Sequence, residues 1–356
     1  MTEKHKRAGF TLIETLVGIS IGVFLTAAAV TFVRFETRLM GVNTERLDMQ
    51  QAGRASLDLI ASDVQLAGLG MTLDDNNDFP GLLTGAFNID TVPFGLSSVT
   101  LESGPPASTI YAVPVSDFGI RFAAGEQASI VGWDPSTQQM RMCDHAALDV
   151  ENGDTIIVRD EQYLSSRAIR VDGLTQITNC RCAEGCYDLT WSAPDPTQTF
   201  VSFTGAAAVD YNLGAAFTDY STVVYFLLDQ GGGLNRASLR RAQFDPDNAG
   251  NCVARDGTCG VEMARDVEAF ALETWAFDTG AAQWSVVPVG NPVPGDQKLR
   301  VDIELVTRSR QETDGVKRQV RSNILGVDFP PGGVDKIERE VFRTSVEIKN
   351  VGRPSI

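Results

Sequence analysis

Histidine is scarce in this chain, and basic residues are in the minority. Only two histidines occur among 356 residues, His5 and His145, so most histidine-based metal sites and Ser-His-Asp triads lack an essential residue. The 46 acidic residues outnumber the 30 basic ones and give a formal net charge of −16, which disfavours nucleic-acid binding through a broad basic surface. Hydrophobic residues make up 43% of the chain, enough for a buried core. We therefore expect a folded protein with no cofactor, no catalytic site and no bound metal.

Proline is absent before Pro80, and a long apolar run lies close to the N-terminus. Residues 10–33 carry a single charge, Glu14, and a helix of this length can cross a bilayer core of ~30 Å. Lys4, Lys6 and Arg7 precede the run, so the positive-inside rule places the N-terminus in the cytoplasm and the rest of the chain outside. A secretory signal peptide cut near residues 27–29 and an ordinary single-span anchor are the alternatives. Glu14 weakens both, because a carboxylate in the span costs ~2.5–3.5 kcal/mol.

The residues around the start of the apolar run carry a family resemblance. Residues 9–14 read Gly-Phe-Thr-Leu-Ile-Glu and follow a short basic leader. This pattern resembles the N-terminal motif of type IV prepilins and pseudopilins. The resemblance implies that prepilin peptidase removes residues 1–9 by cutting between Gly9 and Phe10, and that the new N-terminus at Phe10 is methylated.

The Glu14 carboxylate is expected to pair with an N-terminal amine. Cleavage would give Phe10 an α-amino cation one helical turn before the Glu14 anion, and both charges are costly in an apolar filament core unless they are paired. In the pilin family such a glutamate is thought to neutralise the terminal amine of a neighbouring subunit during assembly. The alternative is a pair within the same chain.

The helical pattern extends beyond the apolar run. Leu57, Ile60, Ala61 and Val64 recur at the spacing of one helix face. A set of charged residues forms the predicted polar remainder: Arg46, Asp48, Arg54, Asp58 and Asp63. Gly68 and Gly70 give stop signals. We predict one helix from residue 10 to about 66, membrane-spanning over 10–33 and amphipathic over 34–70, where it packs on a head. A coiled coil is the alternative, but charged e and g positions are not clear.

From residue 71 to 356 the pattern is that of short strands. Leu299, Val301, Ile303 and Leu305 alternate with polar residues, as do the residues of segment 342–348, and strict alternation indicates strands with one buried face. Further strands are predicted at 108–113, 155–159, 222–228 and 267–277. No strand–helix–strand rhythm occurs, so the sheet should be antiparallel. The predicted fold class is α+β, a long N-terminal helix followed by an antiparallel β-rich, disulfide-containing head, large enough for two lobes with a break near 190–220.

The C-terminal third refines the resemblance. Segments 262–270, 299–309 and 341–352 resemble the PilW group of minor pilins, which is related to the J-type minor pseudopilins of type II secretion. The resemblance covers the N-terminal helix well and the C-terminal third loosely, and it does not extend to residues 75–220.

Six cysteines lie beyond the apolar run, in what would be an oxidising compartment, where disulfides are expected. Cys252 and Cys259 enclose a short loop and are predicted to pair. The other four, Cys143, Cys180, Cys182 and Cys186, allow three pairings. Ring size disfavours Cys180–Cys182, and we favour a local bridge within residues 180–186 with Cys143 joining the cluster. A zinc site formed by these four cysteines and His145 is the alternative.

Other motifs are weak. Segments 74–78 and 245–256 are acidic and match calcium loops only in part, so solvated loops explain them better. Gly231, Gly232 and Gly233 lack the Lys-Ser/Thr that follows a phosphate-binding loop and are predicted to form a hairpin loop.

The sequence thus predicts a non-catalytic minor pilin of PilW type that helps to initiate a type IV pilus or forms part of its tip complex. It would sit in the inner membrane with a periplasmic head before assembly, and at the pilus tip on the cell surface afterwards. Expected partners are other minor pilins, the major pilin, a tip adhesin, prepilin peptidase and the inner-membrane assembly platform. The alternatives are a J-type pseudopilin and, in a different class, a membrane-anchored periplasmic enzyme or binding protein.

Overall fold

The structure is a computed structural model that describes part of the chain. The described residues are 11–70, 82–84, 87–89, 92–94, 99–102, 110–113, 118–143, 150–160, 166–178, 180, 182, 185–192, 212–229, 237–244, 260–287, 297–309, 321–322, 328–329 and 338–348. They include one long helix, α1, Leu12–Leu66. The strands among them are β1 Leu82–Thr84, β2 Phe87–Ile89, β3 Val92–Phe94, β4 Val99–Glu102, β5 Ile110–Val113, β6 Phe118–Asp134, β7 Gln139–Cys143, β8 Thr155–Arg159, β9 Ser166–Ile177, β10 Cys186–Ser192, β11 Ala215–Asp229, β12 Ala237–Phe244, β13 Val261–Asp278, β14 Gln283–Val287, β15 Lys298–Arg308, β16 Arg321–Ser322, β17 Asp328–Phe329 and β18 Arg339–Ile348.

The chain divides into two compact units, residues 1–50 and 51–356. In the first unit, α1 begins at Leu12 and presents large apolar side chains that are exposed, such as Leu12, Phe24 and Phe32. The N-terminal part of α1 is long and apolar enough to cross a membrane, and no residue of its most apolar stretch is buried. An apolar surface of this kind is stable only in lipid or against other apolar surfaces.

The second unit contains a twelve-stranded sheet in which every pairing between described strands is antiparallel. One part is an open sheet in the order β11-β12-β13-β15-β18, with β14 added beside β13. The last four turns of α1 lie on this sheet, where Leu57, Ile60 and Val64 are buried among sheet residues such as Phe270. Gly53 permits this close approach, because a Cβ there would overlap the ring of Phe342. The antiparallel, β-rich head predicted from the alternating segments is confirmed.

The other part of the sheet closes on itself. Strands β6, β7, β10, β9, β8 and β11 are paired in that order, and β11 pairs again with β6, which completes a six-stranded ring. A second hydrophobic cluster fills the ring and includes Ile130, Met142, Ile156, Ile169 and Trp191. Strands β6 and β11 run through both parts: their other ends pair with each other, and that end of β11 also pairs with β12. The two cores therefore share strands β6 and β11.

Candidate functional site

The first residues of α1 form the candidate assembly site. The carboxylate of Glu14 accepts hydrogen bonds from the Thr11 backbone N–H and from the Thr11 hydroxyl, both at 2.9 Å to Oε2. The Glu14 N–H donates in turn to Thr11 Oγ1 at 3.3 Å. This is a capping box, in which Thr11 is the N-cap and Glu14 the third helical residue. Oε1 of Glu14 makes no hydrogen bond with any residue that the structure describes.

The capping box could have been found in the sequence, since a threonine precedes a glutamate by three positions. It gives Glu14 a partner in its own chain other than the Phe10 amine. Gly9 and Phe10, the expected cleavage and methylation residues, lie outside the described residues.

The polar side chains of the apolar half of α1 bond to their own helix. The hydroxyls of Ser20, Thr26 and Thr31 each donate to the carbonyl four residues earlier at 2.8 Å. A hydroxyl bonded in this way needs no partner in lipid, where an unbonded polar group is costly. Among the described residues 11–33, Glu14 is the one that carries a formal charge. Its second carboxylate oxygen, Oε1, is available for another partner.

A partly buried ion pair anchors the end of α1 to the open sheet. Asp63 accepts hydrogen bonds from the Tyr225 hydroxyl and from Nε of Arg241, the latter at 2.7 Å. Burial and the Asp63 carboxylate raise the pKa of Tyr225, so its hydroxyl stays protonated and donates. The sequence pattern placed Asp63 on the polar face of the helix, and this was wrong, because Asp63 is 5% exposed. A buried aspartate is tolerated here because a cation and a phenol pair with it.

The described cysteines form two adjacent disulfides. Cys143 at the end of β7 is bonded to Cys182, and Cys180 is bonded to Cys186 at the start of β10. Cys143 and Cys186 are direct partners in the β7–β10 register, so both bridges lie at one end of this strand pair. The Sγ atoms of Cys182 and Cys186 are 3.3 Å apart. With all four thiols oxidised, the cluster offers no thiolate for the alternative zinc site.

Several sequence predictions fall outside the described residues. They are Cys252, Cys259, His145, both acidic segments at 74–78 and 245–256, and the glycines at 231–233. The antiparallel pairing of β11 with β12 begins at Asp229 and Ala237, on either side of these glycines in the sequence.

A comparison with protein families finds a match at the N-terminus. The family model described as the prokaryotic N-terminal methylation motif matches residues 4–30. No characterised protein and no solved structure matches the chain. The matched motif supports a type IV pilin-like or pseudopilin-like protein, which implies processing by prepilin peptidase and assembly with other pilins. With the apolar helix that follows, it indicates that the chain is anchored in a membrane through its N-terminal segment.

Proposed function

We propose that this chain is a minor pilin of PilW type, a non-catalytic subunit of the initiation or tip complex of a type IV pilus. The observation that carries the proposal is the prepilin-type motif, which leads directly into an exposed apolar helix. The large β-rich region at the other end of that helix adds support, because a subunit with a bulky head suits a terminal position in a filament better than a repeated one.

The proposed maturation starts at the leader. Prepilin peptidase cuts between Gly9 and Phe10, and the new amine of Phe10 is methylated. Glu14 then accepts the terminal amine of a neighbouring subunit. The bonding of Glu14 supports this step, because Thr11 occupies Oε2 and leaves Oε1 without a hydrogen bond among the described residues. One carboxylate can cap its own helix and receive an amine at the same time.

The proposed location follows from the same features. The head lies in the periplasm while the apolar half of α1 is held in the inner membrane, and it reaches the cell surface at the pilus tip after assembly. Two adjacent disulfides fit an oxidising compartment. The partners would be the other minor pilins, the major pilin, the assembly platform and a tip adhesin.

The decisive experiment is a deletion strain that is scored both for surface pili and for secreted proteins, with complementation by the wild-type gene as the control. Loss of pili with normal secretion is expected for a minor pilin. Normal pili with lost secretion would instead identify a J-type pseudopilin, which shares the N-terminal motif. If the mature chain lacked a methylated N-terminus at Phe10, both assignments would be wrong, and an anchored periplasmic enzyme or binding protein would take their place.

A further inference from the structure

An open cleft lies on the ring of the second unit, on four neighbouring strands. Its volume is about 630 Å³, and its lining residues come from β6, β7, β9 and β10 and from Asn152. This volume falls within the usual range of ~300–1,000 Å³ for small-molecule sites. Nothing in the N-terminal motif or in the proposed assembly role accounts for it.

The strand register arranges the lining residues in two rows. One row is Gly132, Arg141, Asp188 and Thr175, and the other is Asp134, Gln139, Thr190 and Gly173. Members of the two rows are two positions apart on each strand, so all eight share one face of the sheet. Gly173 leaves room for its neighbour, because a Cβ there would lie 2.8 Å from Thr190 Oγ1. The floor of the cleft is thus a compact grid of polar side chains and glycines.

Two of the three charged residues of the grid, Arg141 and Asp188, neutralise each other, and Asp134 is the remaining anion. Nε and Nη2 of Arg141 bind the two oxygens of Asp188, the second at 2.7 Å. Asp134 accepts hydrogen bonds from the Ser136 hydroxyl, from the Thr137 N–H and from the Ser136 N–H. Among the lining residues that the structure describes, Arg141 is the one cation, and it is already paired with Asp188. The cleft therefore does not attract phosphates, acidic sugars or nucleic acid.

The remaining polar groups are neutral and open to a ligand. The side chains of Gln139, Asn152, Thr175 and Thr190 make no hydrogen bond with any described residue, and neither does Nη1 of Arg141. These amides and hydroxyls both donate and accept, as sugar hydroxyls do. Val131 adds an apolar residue to the lining. The side chains of Trp133 and Leu174 lie on the opposite face of the sheet and pack against the hydrophobic cluster of the ring. Trp133 is held by parallel stacking on Trp191, with 4.8 Å between ring centroids.

Strand addition by a peptide does not fit this face. Both edges of β7 and of β10 are already paired, β7 with β6 and β10, and β10 with β7 and β9. The backbone groups there are satisfied, so recognition must come from side chains. We propose that this cleft binds a neutral saccharide, with Arg141, Gln139 and Thr175 among the groups that bind its hydroxyls. This activity does not rest on the proposed pilus function.

The test uses the full chain in a zwitterionic detergent, because a detergent with a sugar headgroup would compete. Lactose, maltose and N,N′-diacetylchitobiose serve as neutral probes, sialyllactose as the anionic probe and spermidine as the cationic probe, with binding measured by saturation-transfer NMR and titration calorimetry. At least one neutral probe should bind. Arg141→Ala should weaken that binding about tenfold or more, the effect of losing a charged hydrogen bond. Arg265→Ala is the matched control, because Arg265 is also an exposed arginine paired with a carboxylate, Glu262, and lies outside the cleft.

A second variant tests the cleft as a volume. Thr175→Trp should fill it and abolish binding, whereas Gln176→Trp, one position away on an exposed residue that does not line the cleft, should leave binding unchanged. The melting temperature checks that each variant folds. Three results would overturn the proposal: no binding of any neutral probe, binding of sialyllactose or spermidine alone, or binding that survives Thr175→Trp in a folded protein.

Discussion

At the scale of single residues, Glu14 combines two tasks that mutagenesis can separate. Glu14→Gln keeps an oxygen that can accept from Thr11 and removes only the anion. We expect leader cleavage and membrane insertion to continue and surface pili to fall about tenfold or more, because an unpaired amine in an apolar core costs several kcal/mol. Pili are counted by electron microscopy, and the mature mass is checked by mass spectrometry.

The control for this variant is Thr11→Val, which removes the hydroxyl bond to Glu14 and leaves the carboxylate. It should assemble nearly as well as the wild type. Normal piliation by Glu14→Gln, with normal recovery of the variant in sheared pili, would show that Glu14 serves its own helix and does not receive a neighbour's amine.

Gly53 is a second residue whose effect is local and measurable. A Cβ at this position would overlap three carbons of the buried Phe342 ring, so Gly53→Ala forces the helix away from the sheet. We expect the variant to be less stable by about 1–3 kcal/mol, with a melting temperature lower by about 2–6 °C. Differential scanning calorimetry of the full chain measures this change.

Gly41→Ala is the matched control, since a Cβ there meets no atom within 4 Å. It should leave the melting temperature of the second unit unchanged. Adding Phe342→Leu to Gly53→Ala should recover part of the loss by making room. Equal melting temperatures for Gly53→Ala and the wild type would mean that the helix and the sheet are not packed this closely.

At the scale of elements, the sequence predicted what depends on local pattern. The helix end at Leu66 and the alternating strand β18 agree with their patterns, because one buried face imposes a period on the residues. Strands β8 and β15 also lie where they were predicted, but residues 155–158 are all buried, and Glu304, which was expected on the solvent face of β15, is 1% exposed. The long strand β6 was not predicted, since Gly119, Ala123, Ala124 and Gly125 interrupt any apolar alternation. The ring was not predicted either, because its closure depends on β11 pairing with both β6 and β8, far away in sequence.

The candidate site shows the same division. Glu14 was found from a short motif, and the capping box with Thr11 is a local pattern that the sequence contains. Asp63 was misassigned because its partners, Tyr225 and Arg241, come from strands more than 150 residues away. The cleft could not be predicted, since the row that joins Arg141 to Asp188 and Thr175 exists only in the strand register.

The two disulfides at the end of β7 and β10 lead to a prediction about exchange. Cys143→Ala frees Cys182, whose sulfur lies 3.3 Å from Cys186. At pH 8 the Cys182 thiolate should attack Cys186, form a Cys182–Cys186 bond and release the Cys180 thiolate. Peptide mapping after thiol alkylation should therefore find label on both Cys180 and Cys182.

The control is the double variant Cys143→Ala/Cys182→Ala, in which no free thiol remains in the cluster and Cys180–Cys186 should stay intact. Label on Cys182 alone in the single variant would contradict the exchange. The bridges also differ in expected stabilisation, roughly 4 kcal/mol for the separation of 39 residues and roughly 2 for that of 6 in the chain-entropy treatment.

At the scale of the whole second unit, its two hydrophobic cores are joined by shared strands. The ring and the open sheet have separate buried clusters, yet β6 and β11 contribute to both and pair with each other from one part into the other, with a register shift between Phe217 and Asp219. Unfolding the ring removes β8 as a pairing partner of β11, and unfolding the open sheet removes β12 as its partner at the other end of the strand. Two domains joined by a linker would have no such coupling.

We therefore predict that the second unit unfolds in one cooperative transition. Ile169→Ala in the ring core and Ile303→Ala in the open-sheet core remove the same atoms from fully buried sites, and each should cost about 2–5 kcal/mol. Both should lower the melting temperature of the same single calorimetric transition.

Tryptophan fluorescence can follow each core separately. The variant Trp275→Phe/Trp284→Phe leaves Trp133 and Trp191 as fluorescent reporters of the ring, and Trp133→Phe/Trp191→Phe leaves Trp275 and Trp284 as reporters of the open sheet. The unfolding curves of the two reporters should coincide with the calorimetric one. Two separate transitions, with Ile169→Ala shifting only the ring signal, would show that the shared strands do not couple the cores.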